Sequence, residues 1–408
     1  MKKLLMIAYH FPPLAGSSGI QRTLRFVQHL PRHGWQPLVL STRPEAYERT
    51  ADDLMREVPE GTVVRRAWAL DTARHLSIGG RYLEAMARPD RWISWRYAAV
   101  RAGMQLIREH RPDAIWSTYP IATAHVIGAT LQRRSGLPWI ADFRDPMAQP
   151  GYPSDPKTWA AFKRIEATAL RQARLCLYTT PSAAQSHRAL YPDAAERIRL
   201  LENGYDEEAF AAAARQVAPA PTDGGPRVLL HSGIVYPGDR DPSQLIAALR
   251  LLHDAGRIRP GSLTVRFRAA VHDDLLRELT QRHGVEAYVE LCPAVGYADA
   301  LAEMMRVDGL LVLQASSCNE QVPAKLYEYL RAGRPILCLS DPAGDTAGVM
   351  RDAGIAPMAR LDSAPEIAAL IERCLDGGGP ALLPTAAAVA AASREGRARQ
   401  LAAWLDAL

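Results

Sequence analysis

The segment Asn319-Glu320-Gln321-Val322-Pro323-Ala324-Lys325-Leu326-Tyr327-Glu328-Tyr329 sets two glutamates eight positions apart, directly ahead of Gly333-Arg334-Pro335 and an apolar run. Pro323 suits the first position of a helix, where its missing N–H costs nothing, and Gly333 suits the stop. Glu320 then reads as a loop carboxylate. Glu328 projects from a short helix, on the stripe it shares with Ala324 and Ala332. The open N–H groups of such a helix start form a seat for phosphate. Two carboxylates beside that seat suit the hydroxyls of a nucleotide sugar. As bare charges at this spacing they read more readily as solvated surface groups; Pro323, Gly333 and the following strand reverse that and favour a site.

The Glu-x7-Glu spacing, with Pro-Ala-Lys-Leu-Tyr-Glu-Tyr-Leu and Gly-Arg-Pro behind it, resembles glycosyltransferase family 4. Four further segments match that family in order. Tyr9-His10-Phe11-Pro12-Pro13, followed by Gly16-Ser17-Ser18-Gly19, is similar to its opening glycine loop. Trp139-Ile140-Ala141-Asp142-Phe143-Arg144-Asp145-Pro146 ends a strand where the family presents a polar group to the reacting sugar. Asn203-Gly204-Tyr205-Asp206 resembles the signature that closes its first domain. His231-Ser232-Gly233, continuing to Arg240, resembles the segment whose basic side chain meets the diphosphate.

The resemblance implies an α/β protein of the GT-B fold: two Rossmann-like domains facing across a cleft, with a C-terminal helix crossing back to the first domain. It also implies a retaining hexosyl- or N-acetylhexosaminyl-type transferase. Such an enzyme moves a sugar from a UDP- or GDP-sugar to a hydroxyl of a glycan or polyprenyl-linked acceptor, in surface polysaccharide biosynthesis. No cofactor beyond the donor and no metal are implied. Attack on the face from which the leaving group departs needs no carboxylate pair of the glycosidase kind.

Residue by residue, the resemblance gives Glu320 the donor-sugar hydroxyls and Glu328 the ribose hydroxyls. The N–H groups of Val322 and Ala324, with Arg240 and Lys325, hold the diphosphate. Pro323 has no N–H to give. Gly16, Gly19 and Gly233 allow close backbone approach, and Cys292 lies in the segment that brackets the base. Asp142, Arg144 and Asp145 share the place facing the reacting centre, or form a structural Asp–Arg pair. Tyr119 and His125 stand on the acceptor side, although a helical histidine is more commonly a satisfied core group. A non-catalytic sugar-nucleotide-binding or scaffold protein of a polysaccharide assembly complex is the alternative. A nicotinamide oxidoreductase is disfavoured, since no dinucleotide fingerprint follows the first strand.

These residues need strands to position them. Apolar runs at 3–9, 36–41, 62–65, 114–117, 139–142, 175–179 and 198–201 read as buried strands, alternating with helical segments at 20–33, 91–110, 122–134 and 158–173. The rhythm restarts with strands at 228–233, 263–269, 288–291, 309–313 and 336–339. Alternation of this kind predicts parallel sheets covered on both faces. The expected division is 1–206, an Ala/Pro/Gly-rich linker at 207–226, a second domain at 227–384, and a returning amphipathic segment at 385–408 carrying Arg397, Leu401, Trp404, Leu405 and Leu408.

With 408 residues the chain exceeds one ordinary core. It has no apolar run of membrane-spanning length, and Met1-Lys2-Lys3 with its short apolar run, stopped by His10-Phe11-Pro12-Pro13, reads as a first strand and not a signal peptide. Five cysteines without metal-type spacing fit a reduced, cytoplasmic setting. Charge is uneven: residues 1–205 carry 29 Lys/Arg against 18 Asp/Glu, the remainder 20 against 26, and seven of eight tryptophans fall in the first part. A basic, aromatic-bearing domain suits peripheral contact with an anionic membrane, and no recognition motif points to nucleic acid.

Overall fold

The computed structural model describes residues 1–15, 19–149, 151–215 and 225–408. Strands β1 (Lys2–Ile7), β2 (Trp35–Thr42), β3 (Val63–Ala67), β4 (Ala114–Thr118), β5 (Trp139–Arg144), β6 (Leu175–Tyr178) and β7 (Ile198–Leu200) form one sheet in the order β3-β2-β1-β4-β5-β6-β7. A second sheet takes β8 (Arg227–Ser232), β9 (Leu263–Arg268), β10 (Val289–Cys292), β11 (Gly309–Gln314) and β12 (Ile336–Ser340) in the order β10-β9-β8-β11-β12. Every pairing is parallel. The strands are apolar almost throughout because helices cover both faces: Leu4 to Ile7 and Leu310 to Leu313 are fully buried. All twelve strands expected from the sequence are present, with ends within two residues.

The chain divides into two compact units, one of residues 1–203 with 394–408, the other of residues 204–393. The segment expected to return from 385 therefore splits. Ala386–Ala391 is a short helix of the second unit, and Arg394–Asp406 is a helix of the first. That last helix buries Ala398, Leu401, Ala402 and Leu405 among Leu4, Met6, Leu24, Val27 and Trp35. Asp406 accepts hydrogen bonds from Lys2 and Trp35, each at 3.1 Å. Leu401→Ala should lower stability by about 2–5 kcal/mol through the cavity it leaves. Denaturant unfolding followed by tryptophan fluorescence measures this; an unchanged midpoint would mean the helix adds nothing to the first unit.

The expected linker at 207–226 is corrected over its first part. Glu207–Ala214 is a helix, capped by the Asp206 carboxylate accepting from the Glu208 N–H at 3.0 Å, with Phe210 and Ala213 buried in the second unit. The run of alanines that suggested a linker is a strong helix former, and the cap starts it. Residues 216–224 of that linker lie outside the described residues.

Strand order reverses between β1 and β4 in one sheet and between β8 and β11 in the other. In open parallel sheets ligands collect beyond the carboxyl ends of strands at such reversals. Those ends carry His10 and Tyr119 in the first unit, and Gly233 with the 315–328 segment in the second.

Candidate functional site

In the second unit the helix Lys325–Ala332 begins close to the end of β8. The Lys325 ammonium donates to the Ser232 carbonyl and meets His231 Nε2, both at 2.9 Å. His231 is fully buried, and its Nδ1 lies 3.1 Å from the Leu311 carbonyl. Nδ1–H therefore donates to that carbonyl and Nε2 is left to accept from Lys325. Burial, reinforced by Lys325, holds the imidazole well below its usual pKa and keeps it neutral. Burial also holds the Lys325 ammonium well below its ordinary range; Arg240 adds to this and Glu328 opposes it. Arg240 donates to the Ile234 carbonyl at 3.0 Å and lies over the Tyr236 ring. Two crowded cations at a helix start repel each other and are relieved by a polyanion.

The expected glycine role at Gly233 changes its physical basis. Its φ of +113° demands glycine, whereas a Cβ there would only touch Lys325 Nζ at 3.6 Å. Glu328 accepts from the Tyr297 hydroxyl at 2.8 Å. Glu320 is exposed, on a loop pinned on both sides: Asn319 donates to Asp341 at 2.7 Å, and the Thr346 hydroxyl donates to the Gln321 carbonyl at 2.9 Å. The helix proper starts at Lys325, and Pro323 forms the preceding turn, its carbonyl accepting from the Leu326 N–H at 2.9 Å. Val322 is half-buried and Ala324 exposed beside that turn. Cys292 ends β10, its thiol 3.4 Å from Glu290. A cavity of about 440 Å³ opens beside Ala315, Ser316 and Asp341 at the ends of β11 and β12, but Glu320, Lys325 and Glu328 do not line it.

In the first unit the expected trio separates. Asp142 is fully buried and clasped by Arg22, whose Nε and Nη2 each donate at 2.8 Å, while Thr118 donates at 2.9 Å. Arg22 also reaches the carbonyls of Leu201 and Glu202, at 3.0 and 3.1 Å. Asp142 is thus a strut joining three strand ends and is not open to a substrate. Arg144 follows a register shift in β5 and adopts φ +61°, unusual without glycine. Its Nη2 donates to the Gly19 carbonyl at 2.8 Å, and burial pulls its guanidinium down to about 10. A Cβ on Gly19 would fall 2.4 Å from His10 Nδ1 and 2.9 Å from Arg144 Nη1, so no larger residue fits. Gly16 lies outside the described residues.

Asp145 is exposed, yet the protein crowding its carboxyl pushes its pKa up against the pull of Arg144. Tyr119 is buried close to it, so desolvation and the charge of Asp145 both raise the phenol. His125 is corrected. It is fully buried, 2.8 Å from the Ser117 hydroxyl and against Phe143, with its pKa lowered by burial to about 4. It is a core histidine and touches no open surface. His10 and His231, not singled out from the sequence as site residues, both stand at the ends of strands flanking the order reversals, where ligands collect in such sheets. Burial, with Arg144 adding, lowers His10 to about 4, so it is neutral beside Gly19. Among the described residues no three His, Cys, Asp or Glu side chains group as metal ligands.

Residues 18–204, most of the first unit, match the family model of the glycosyl transferase 4-like domain. Among solved structures, HepE of Anabaena in complex with UDP is similar across 100% of both chains, at 18% identity and a TM-score of 0.66. The lipopolysaccharide outer core galactosyltransferase WaaB in its apo form matches over 99% of each chain, at 12% identity and a TM-score of 0.61. An α,α-trehalose 6-phosphate synthase from Burkholderia multivorans matches over 100% of this chain and 97% of its own, at 12% identity and a TM-score of 0.66. No curated protein matches by sequence. The first unit thus matches the glycosyl transferase 4-like domain over residues 18–204, and the chain as a whole has the GT-B fold of these solved structures, with two Rossmann-like sheets.

Proposed function

We propose that the chain transfers a sugar, with retention of anomeric configuration, from a nucleoside diphosphate sugar to a hydroxyl of a glycan or polyprenyl-linked acceptor. The observation that carries this reading is the half-buried Lys325 ammonium, held between His231 and the Ser232 carbonyl and crowded by Arg240. That is the electrostatics of a site built to meet the charge on a departing diphosphate. In this reading Glu320 binds the donor-sugar hydroxyls and Glu328 the ribose. Val322 and Ala324 offer N–H groups to the phosphates, and Cys292 borders the base. Gly19, Arg144, Asp145 and Tyr119 serve the reacting and acceptor side, with Asp142 positioning them. UDP is the favoured nucleotide because HepE is solved with UDP and with UDP-glucose. A role in surface polysaccharide assembly, beside an anionic membrane, is the accompanying reading. It is supported by the basic first part of the sequence and by the likeness to a lipopolysaccharide galactosyltransferase. Among the described residues no helix is long and apolar enough to cross a membrane.

A thermal-shift screen with UDP, GDP, ADP, their sugar conjugates and NAD(P)H tests this. One nucleoside diphosphate should raise the apparent stability, by an increment that follows its occupancy. Glu320→Gln and Glu328→Gln should melt like the parent without ligand and lose most of the shift with the sugar conjugate. A response to NAD(P)H alone would overturn the reading.

A further inference from the structure

A second charged feature lies away from these strand ends, on the first unit. The helices Trp95–His110 and Ala122–Ser135 pack tightly; a Cβ on Gly103 would stand 2.5 Å from Leu131. Above that contact runs a groove of about 710 Å³ whose charged lining is Arg96, Arg101, Arg108, Arg133 and Arg134, with no acidic residue. None of the five pairs with a carboxylate among the described residues; Arg96 lies over the Tyr97 ring instead. The helix Trp95–His110 buries Trp95, Ala99, Gly103 and Leu106, so Tyr97, Arg101 and Arg108 lie exposed on the opposite side, with Met104 half-buried between them. Unpaired arginines in a row repel one another, and such a stripe is stable only as a solvated surface or against an anion.

The segment leading into this helix adds an apolar element. Ile78 and Arg81 exchange backbone hydrogen bonds at 2.9 and 3.1 Å around Gly79 and Gly80, whose φ values of +57° and +77° make a tight turn. That turn displays Ile78 at 89% exposure, and Leu83 follows at 72%, with Tyr97 at 69% on the helix itself. The segment is tied to the helix start: Ser94 Oγ bonds both the N–H and the carbonyl of Leu70, and the Thr72 hydroxyl donates to the carbonyls of Met86 and Arg91.

From these two features we infer that the arginine groove and the Ile78–Leu83 turn form one docking face for a membrane rich in anionic phospholipid. Guanidinium groups bond lipid phosphates in forked geometry. The exposed apolar side chains and the Tyr97 ring suit the boundary between headgroups and acyl chains. A soluble polyanion has no use for Ile78 and Leu83. The inference rests on the proposed reading of a membrane-held acceptor and names the surface that reaches it.

The test is co-sedimentation of the full chain with phosphatidylglycerol-containing vesicles and with phosphatidylcholine vesicles, across a salt series. Binding should require the anionic lipid and weaken as salt rises. The triple variant Arg101→Glu/Arg108→Glu/Arg133→Glu should bind at least about a hundredfold more weakly, each basic residue near such a surface being worth about fivefold. Ile78→Ser/Leu83→Ser should weaken binding about tenfold or more while keeping the salt response. All variants should keep the thermal shift with UDP, since the groove is remote in sequence from the donor residues. Equal binding by the triple variant overturns the inference. So does undiminished vesicle binding by the apolar variant together with retention on heparin, which would assign the groove to a soluble polyanion. Loss of the lipid result with the nucleotide shift intact sinks only the docking face; absence of a shift with every nucleoside diphosphate and sugar conjugate, in every protein, sinks the donor reading.

Discussion

Lys325→Met should lower kcat/KM for the donor by on the order of a hundredfold or more and leave the fold intact, because the variant removes a cation aimed at leaving-group charge. Methionine nearly matches the lysine stem in volume, so packing changes little. Stability should hold or rise slightly, since an ammonium buried beside Arg240 is costly without an anion. Proton linkage supplies an independent signature. The Lys325 pKa is depressed in the free protein, and a bound diphosphate favours the ammonium, so donor binding takes up protons. Donor affinity should therefore fall as pH rises through the depressed pKa. Over the window between that pKa and the unfolded value, the unfolded chain binds more protons than the folded one, so the stability of the free protein should rise with pH. The two trends run in opposite directions. Titration calorimetry in buffers of different ionisation heat measures the uptake; identical heats in all buffers, alkaline ones included, would remove Lys325 from the diphosphate site.

The sequence made the sheets legible because each strand is an almost unbroken apolar run, such as Leu4 to Ile7 or Leu310 to Leu313, bounded by turns. The Glu320–Glu328 window was legible for a similar reason: its geometry is local to one loop and one helix. What escaped depends on which residues the topology brings together. His231 and Lys325 lie 94 positions apart and meet only because β8 and the helix after β11 share a strand-end region. Arg22 and Asp142, 120 positions apart, meet because β1 and β5 lie on either side of β4. His125 was placed on the acceptor side because its partner Ser117, eight positions earlier, gives no sequence signal. The 207–214 segment misled through composition alone, since alanine serves a linker and a capped helix equally well.

Asp142→Asn separates a strut from a catalytic group. The carboxylate is fully buried, and both its oxygens accept from Arg22, which is 5% exposed. Removing the charge strands a buried guanidinium, and stability should fall by about 3–5 kcal/mol. Replacing both partners, as in Arg22→Met/Asp142→Leu, should recover much of that loss, because a well-packed apolar pair of similar volume can match a buried ion pair. Asp145→Asn should behave in the opposite way: its carboxyl is exposed and spans no strand ends, so melting should not change while turnover falls. The measurement is denaturant unfolding beside single-turnover kinetics on all three variants. If Asp142→Asn keeps full stability and still loses turnover, Asp142 touches the reacting centre and the strut assignment fails. The expected result makes Arg22 and Asp142 positioning residues. Their clasp ties the ends of β4 and β5 to the exit of β7, at Thr118, Leu201 and Glu202. From the same end of β5, Arg144 reaches the Gly19 carbonyl and closes the floor beneath His10.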